Sequence, residues 1–433
     1  MGDMSGSAAV IVDDVTGGDT AAGPMGDMSG SAVVMSARQP CPVAAIEALI
    51  VSVPAVGNAF AEGSEETLLV KVIDADGRVG IGESVCTPAV VKAMIDQRTI
   101  HFWSQGIKDV VVGADPIEAA ALYDRAYHGS FYHGRRGTYI QAYSAVDIAL
   151  YDLAGRQLGL PVYKLLGGAR TERIRPYATC YPGDIYDGPM NAVLDEITRQ
   201  AAIAADQGLT AVKVPVLFGA EVPDRGIVEF VRTCRTSLGD DLTLALDFGY
   251  RWWDWHDAVW TLRRIEDFDI AFAEAPLRHD DLAGHARLAA VSPVRVGGAE
   301  FAAGRWEVRE WLTTGGVSLV QPGVSRAGGF TELMRIAELC ELHGAQLIPH
   351  SFATGITDVA NFHLQAAALT IPMVEFRSSR LGPSRLRTEL VHPPEPKIID
   401  GYAALPTGAG LGVELNDELV AAHTLDATSG GSD

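Results

Sequence analysis

The sequence predicts an α/β barrel preceded by an α+β unit, and two patterns carry that prediction. After Gly168, eight short apolar runs recur: RPYATCY, TAVKVPV, LTLALD, IAFAE, VRVGGAE, VSLVQP, AQLIPH and MVEF, with helical stretches between them. Polar residues punctuate their ends at Lys213, Asp247, Glu274, Glu300, Gln321, His350 and Glu375, in steps of 21 to 34 residues. Each step is roughly one βα unit, and eight such strands close a barrel. Ahead of them, IEALIVSVP and TLLVKVIDADGRVGIGESV read as strands joined at Asp-Gly, an antiparallel opening followed by helices. A chain of 433 residues holds a barrel of about 250 residues and a second unit besides.

Taken in order, residues 1–40 are Gly, Ser, Ala and Asp with scattered Met, and MGDMSGSA occurs there twice. Without helical or strand periodicity this segment is expected to be a disordered tail, or to precede a true start at Met25, Met28 or Met35. Residues 41–168 form the α+β unit. Its clearest helix is Tyr143-SAVDIALYDLAGRQLG, apolar at helical spacing, with Gly159 placed as its stop. The barrel is assigned to 169–393. Residues 394–433, with IIDGYAALPTGAGLGVEL, have no place in the eightfold count and are expected to pack back on the first unit.

Composition narrows the function. Acids outnumber bases 55 to 34, a formal charge of −21, which argues against nucleic acid or an anionic membrane as partner. No uncharged apolar run reaches the length of a membrane span, and no basic residue precedes Arg38 to start a secretory signal. Five scattered cysteines without a C-x-x-C suit a reducing cytoplasm. Only Lys71, Lys92, Lys108, Lys164, Lys213 and Lys397 are lysines in a chain that otherwise uses arginine. A buried-strand lysine in such a chain marks a place where chemistry other than charge is wanted, because lysine can lose its proton and arginine cannot readily do so.

Asp247, Glu274 and Glu300 end three successive strands. Neighbouring barrel strands lie about 5 Å apart, so the three side chains can converge. Three buried carboxylates without a counter-ion would repel one another and take up protons. A hard divalent cation resolves the conflict, and with few protein ligands and open positions Mg²⁺ is the expected one.

The segments SAVDIALYDLAGRQLGLPVYKLLGG, AVKVPV, ALDFGYRW, FAEAP, GGAE, VQPGVSRAGG and IPHSFATG together resemble the enolase superfamily, in its mandelate racemase/muconate-lactonizing branch. The likeness runs from about residue 44 to residue 415. It implies a modified (β/α)₇β TIM-like barrel under a capping domain, with Mg²⁺ held by Asp247, Glu274 and Glu300. It also implies removal of a proton α to a carboxylate through an enediolate, on a small-molecule carboxylate substrate, by a homo-oligomeric enzyme. Lys213 would donate to the substrate carboxylate, or act as a base if burial depresses its pKa. His350 matches the family's histidine, and Glu375 its last-strand acid, a substrate-binding group when protonated.

Three departures bear on the reaction. The usual second lysine of Lys-x-Lys is Pro215, the usual Asp that orients the histidine is Gly323, and the usual Asp-x-Asn is Asp247-Phe248-Gly249. Without a base on the Pro215 face, one-sided chemistry is favoured: His350 takes the α-proton or protonates a leaving hydroxide. The expected activity is therefore a lyase that dehydrates a hydroxy or sugar acid. The alternatives are an epimerase, racemase or cycloisomerase, and a catalytically silent metal-binding barrel. Without its aspartate, His350 is expected to be less basic and less fixed. Arg136, in YHGRRG ahead of the long helix, is a candidate for the substrate carboxylate. Asn58 to Glu65 is a candidate lid by resemblance, and Trp252, Trp253 and Trp255 read as packing.

Overall fold

The computed structural model describes residues 41–54, 64–183, 185–382 and 384–425. The anticipated tail at 1–40 lies outside the described residues, as does most of the anticipated lid; Ser64 and Glu65 at its end already belong to a strand. Strands β1 (Val43–Pro54), β2 (Ser64–Asp74) and β3 (Val79–Ser84) form an antiparallel sheet in the order β1-β2-β3. The β2–β3 turn is set by Gly77, at φ 84°, and by Asp74, whose carboxylate accepts from the Asp76 and Arg78 amides.

The Thr138–Leu158 helix packs on this sheet with most of its residues buried, and Gly159 ends it in the left-handed region. Strand and helix approach so closely that only glycine fits between them. A Cβ at Gly80 or Gly82 would stand 2.2 or 2.1 Å from a carbonyl oxygen of the helix.

After the short β4 (Arg173–Ile174) comes the barrel: β5 (Pro176–Thr179), β6 (Ala211–Pro215), β7 (Thr243–Asp247), β8 (Ile270–Glu274), β9 (Val296–Gly298), β10 (Leu319–Val320), β11 (Gln346–Leu347) and β12 (Val374–Phe376). All eight are parallel, consecutive strands β5 to β11 pair in turn, and β12 returns to pair with β5. Seven main helices, from Met190–Asp206 to Gly355–Ala367, fill the connections, giving the (β/α)₇β count.

The C-terminal segment touches the first unit at several points. Arg156 bonds Glu414 at 3.0 Å, Lys71 bonds Asp417 at 2.6 Å, and the Leu425 amide donates to Ile50 O. No helix among the described residues is long and apolar enough to cross a membrane.

Candidate active site

A strand alternates its side chains, so one inward residue fixes the direction of the residue two further on. The barrel interior is plugged by Tyr177, Ala211, Ala245, Phe272, Leu319, Ile348 and Met373, one from each of seven strands or their extensions. Two residues beyond each, toward the C-terminal mouth, stand Thr179, Lys213, Asp247, Glu274, Gln321, His350 and Glu375. The remaining strand, β9, contributes Glu300, two residues past its end. The site is thus a polar layer resting on an apolar one. Its mouth is a cavity of about 340 Å³ lined by Thr179, Lys213, Asp247, Glu300, His350 and Glu375, together with Pro215, Phe301, Arg326 and Phe352.

Within the layer Lys213 is almost fully buried and is clasped between Glu274 Oε2 at 2.8 Å and Glu375 Oε1 at 2.9 Å. Gln321 Nε2 donates to the same Glu274 oxygen at 2.7 Å. His350 Nδ1 stands 3.3 Å from Glu375 Oε2 and 3.5 Å from Glu300 Oε2. Tyr250 Oη donates to Glu300 Oε1 at 2.7 Å, and the Gly249 amide donates to Asp247 Oδ1 at 2.9 Å. Left-handed backbone at Tyr250, Ala275 and Ala299 turns the chain beside all three acids, a local strain that this packing sustains.

The charges show what this crowding costs. Burial pushes the Glu274 carboxyl up to about 8, with Asp247, Glu300 and Glu375 adding to the rise against the opposing Lys213 ammonium. Asp247 is raised as well, by burial and by Glu300. Burial would lower Lys213, but the surrounding carboxylates outweigh it and keep the side chain an ammonium, so it is a donor and not a neutral base. Burial also works to lower His350, and Glu375 and Glu300 overcome it; the imidazole is raised, not weakened as the loss at Gly323 suggested.

Glu375 differs from expectation for the same reason. Its Oε1 accepts from Thr179 Oγ1 and faces Lys213, while its Oε2 accepts from the Ser351 amide at 2.8 Å. Burial raises it, but Lys213, His350 and Ser351 together hold it well below the ordinary carboxylate range. It is an ionised acceptor and not the protonated donor expected for substrate binding.

A dication fits this donor set. One ligand atom each of Glu274, Glu300 and His350 lies within 4.8 Å of the others, and Glu274 Oε1 is buried without a hydrogen-bond partner among the described residues. Asp247 is in direct register with Glu274 on the neighbouring strand, although it stands outside that tightest trio. The ion pairs of these acids are with Lys213 and His350. Arg136, in contrast, does not line the cavity; it belongs to the Gly134–Gly137 turn, with Nε buried and unpartnered among the described residues. The cavity arginine is Arg326, whose Nε and Nη1 are likewise buried without partners and whose guanidinium lies 4.8 Å over the Phe301 ring. Thr179 was missed from the sequence, although the period-two pattern of the first run could have found it. Arg326 follows the end of β10 in an irregular turn, where no period operates.

Residues 45–167 match the mandelate racemase/muconate lactonizing enzyme N-terminal domain, and residues 196–419 match the enolase C-terminal domain-like family. The barrel, its cap and these two matches place the chain in the mandelate racemase/muconate lactonizing enzyme branch of the enolase superfamily. It is 32% identical to arabinonate dehydratase of Saccharolobus solfataricus, covering 83% of this chain and 90% of that one. It is 30% identical to D-galactarolactone cycloisomerase of Agrobacterium fabrum, over 81% of this chain and 89% of that one. Among solved structures, 3,6-anhydro-D-galactonate cycloisomerase from Zobellia galactanivorans superposes with a TM-score of 0.76 at 26% identity, covering 89% of this chain and 100% of that one.

Proposed function

We propose that the protein is a Mg²⁺-dependent lyase that dehydrates a polyhydroxy acid by removing the proton α to its carboxylate. The observation that carries this reading is the crowding of Asp247, Glu300, Lys213 and His350 around one cavity at the barrel mouth, with Glu274 buried beneath it against Lys213. Asp247, Glu274 and Glu300 would hold the metal, which when bound supplies positive charge to the substrate carboxylate as its α-proton becomes acidic.

The chain does the rest. Lys213, kept charged, donates to a carboxylate oxygen as negative charge grows there. His350, partly open to the cavity, takes the α-proton or protonates the departing hydroxide. On the opposite face Pro215 offers no proton carrier, and its carbonyl is already bonded by Tyr186 Oη at 2.7 Å. One-sided elimination is therefore favoured over two-base racemisation. A neighbouring cavity of about 430 Å³ shares Val85 and Phe352 with the first, which leaves room for a hydroxylated chain beyond the reacting carbons. The dehydratase among the relatives supports this reading. Two cycloisomerases keep an isomerase as the second one, since ring opening can begin with the same proton removal.

The test is incubation with Mg²⁺ and a panel of acid sugars in deuterated water, with products and α-deuterium followed by NMR. A 2-keto acid without exchange into the substrate is the expected result. Exchange with inversion, or ring opening of a lactone, supports the isomerase. Mg²⁺ binding with no reaction on any acid would mark a silent barrel and contradict the proposal. By likeness to the family we also infer a homo-oligomer working in the cytoplasm, to be checked by light scattering and cell fractionation.

A further inference from the structure

We infer that Glu375 is the residue that orients the His350 ring, in place of the aspartate that position 323 lacks. The inference rests on the reading of His350 as the proton carrier, and three observations support it. A Cβ built at Gly323 would lie 3.0 Å from His350 O and 3.9 Å from His350 Cβ, so position 323 borders the histidine but presents no side chain to it. Glu375 reaches the ring from the last barrel strand: its Oε2 stands 3.3 Å from Nδ1, an ionic contact in which Nδ1 is not aligned as a hydrogen-bond donor, and it accepts from the amide of Ser351, the next residue along. One carboxylate oxygen thus addresses both the ring and the backbone that carries it.

The other oxygen is held at Lys213 and Thr179, on β6 and β5, so the group is anchored on strands independent of the histidine. Glu375 is 1% exposed and both of its oxygens are engaged. Glu300 also faces Nδ1, at 3.5 Å, but it is a proposed metal ligand, which leaves Glu375 as the standing partner. A carboxylate at this distance favours the proton on Nδ1, a small turn of the ring completing the hydrogen bond, and leaves Nε2 as the free lone pair, the arrangement a general base needs. Glu375 is accordingly a positioning residue that ties Lys213 and His350 to one group.

The test uses the full chain with Mg²⁺ and ¹⁵N-labelled histidine, with His350 assigned from the His350→Asn variant. The expected wild-type signature is one tautomer, protonated at Nδ1. In Glu375→Gln it becomes a mixture, and in Gly323→Asp/Glu375→Gln the single tautomer returns. On the acid turned over best, Glu375→Gln should lower kcat about 10–100-fold with KM within a factor of two, and the double variant should recover part of that loss. An unchanged tautomer in Glu375→Gln overturns the inference whatever the rates show. If the tautomer shifts but the wild type turns over no acid, the positioning stands and the functional reading fails. Should Glu375→Gln not fold, Glu375→Asp, which keeps the charge for Lys213 but withdraws it from the ring, gives the same readout.

Discussion

Lys213 shows at the scale of one residue how burial and charge compete. It sits between Glu274 and Glu375 and is 1% exposed, a position in which an ammonium survives because Glu375 is held ionised beside it. Lys213→Met should abolish turnover yet bind Mg²⁺ at least as tightly as wild type, because a positive charge leaves Glu274. Calorimetric titration checks this, and weaker metal binding would contradict it. Arg326 is expected to act on binding more than on chemistry. Arg326 lines the cavity and its Nε and Nη1 have no partner among the described residues, so Arg326→Met should raise KM by about tenfold or more with kcat little changed. Lys213, Asp247, Glu274 and His350 were legible in the sequence because strand ends carry a period. The environment of Glu375 was not, since it depends on β12 closing beside β5, a pairing that no local pattern encodes.

Between elements, the junction of the Thr138–Leu158 helix with the Gly329–Leu342 helix is the informative one. Ser144 Oγ accepts from the Gly328 amide at 2.8 Å, and Asp147 Oδ1 accepts from the Thr331 amide at 3.0 Å. The contact anchors the turn that carries Arg326. A Cβ at Gly329 would fall 2.3 Å from Asp147 Oδ1, and its φ of 72° also disfavours other residues. Burial raises the Asp147 carboxyl to about 7, against the hydrogen bonds from Thr331. The folded state therefore holds a proton that the unfolded chain releases near pH 4. Stability from this group is greatest below that pH, falls as pH rises toward about 7, and is fully lost above it. The slope is at most about 1.4 kcal/mol per pH unit for one proton. Asp147→Asn keeps the acceptor and should flatten that part of the profile, as urea unfolding between pH 4 and 8 would show; an unaltered slope would contradict the assignment. The helix and its Gly159 stop were plain in the sequence, while its burial against the barrel was not, because nearly all its faces are apolar or small.

For the whole molecule, the division into an antiparallel cap and a parallel barrel follows from two hydrophobic periods in one chain. The eight runs were readable because seven of them carry a polar residue at or near their C-terminal ends, all toward one mouth. The C-terminal segment was harder to place, since its strands are only two or three residues long and its anchors, Arg156–Glu414 and Lys71–Asp417, join distant parts of the chain. Loss of the segment after Pro406 should lower the midpoint of thermal unfolding by several degrees, because β2 and the long helix lose these contacts.

The reaction proposed above depends on Asp247, Glu274 and Glu300 sharing one dication. Titration with Mn²⁺, followed by electron paramagnetic resonance on the wild type and on Asp247→Asn, Glu274→Gln and Glu300→Gln, tests it most directly. One site per chain is expected, weakened at least tenfold by each substitution. Equal affinity in all four proteins would contradict it.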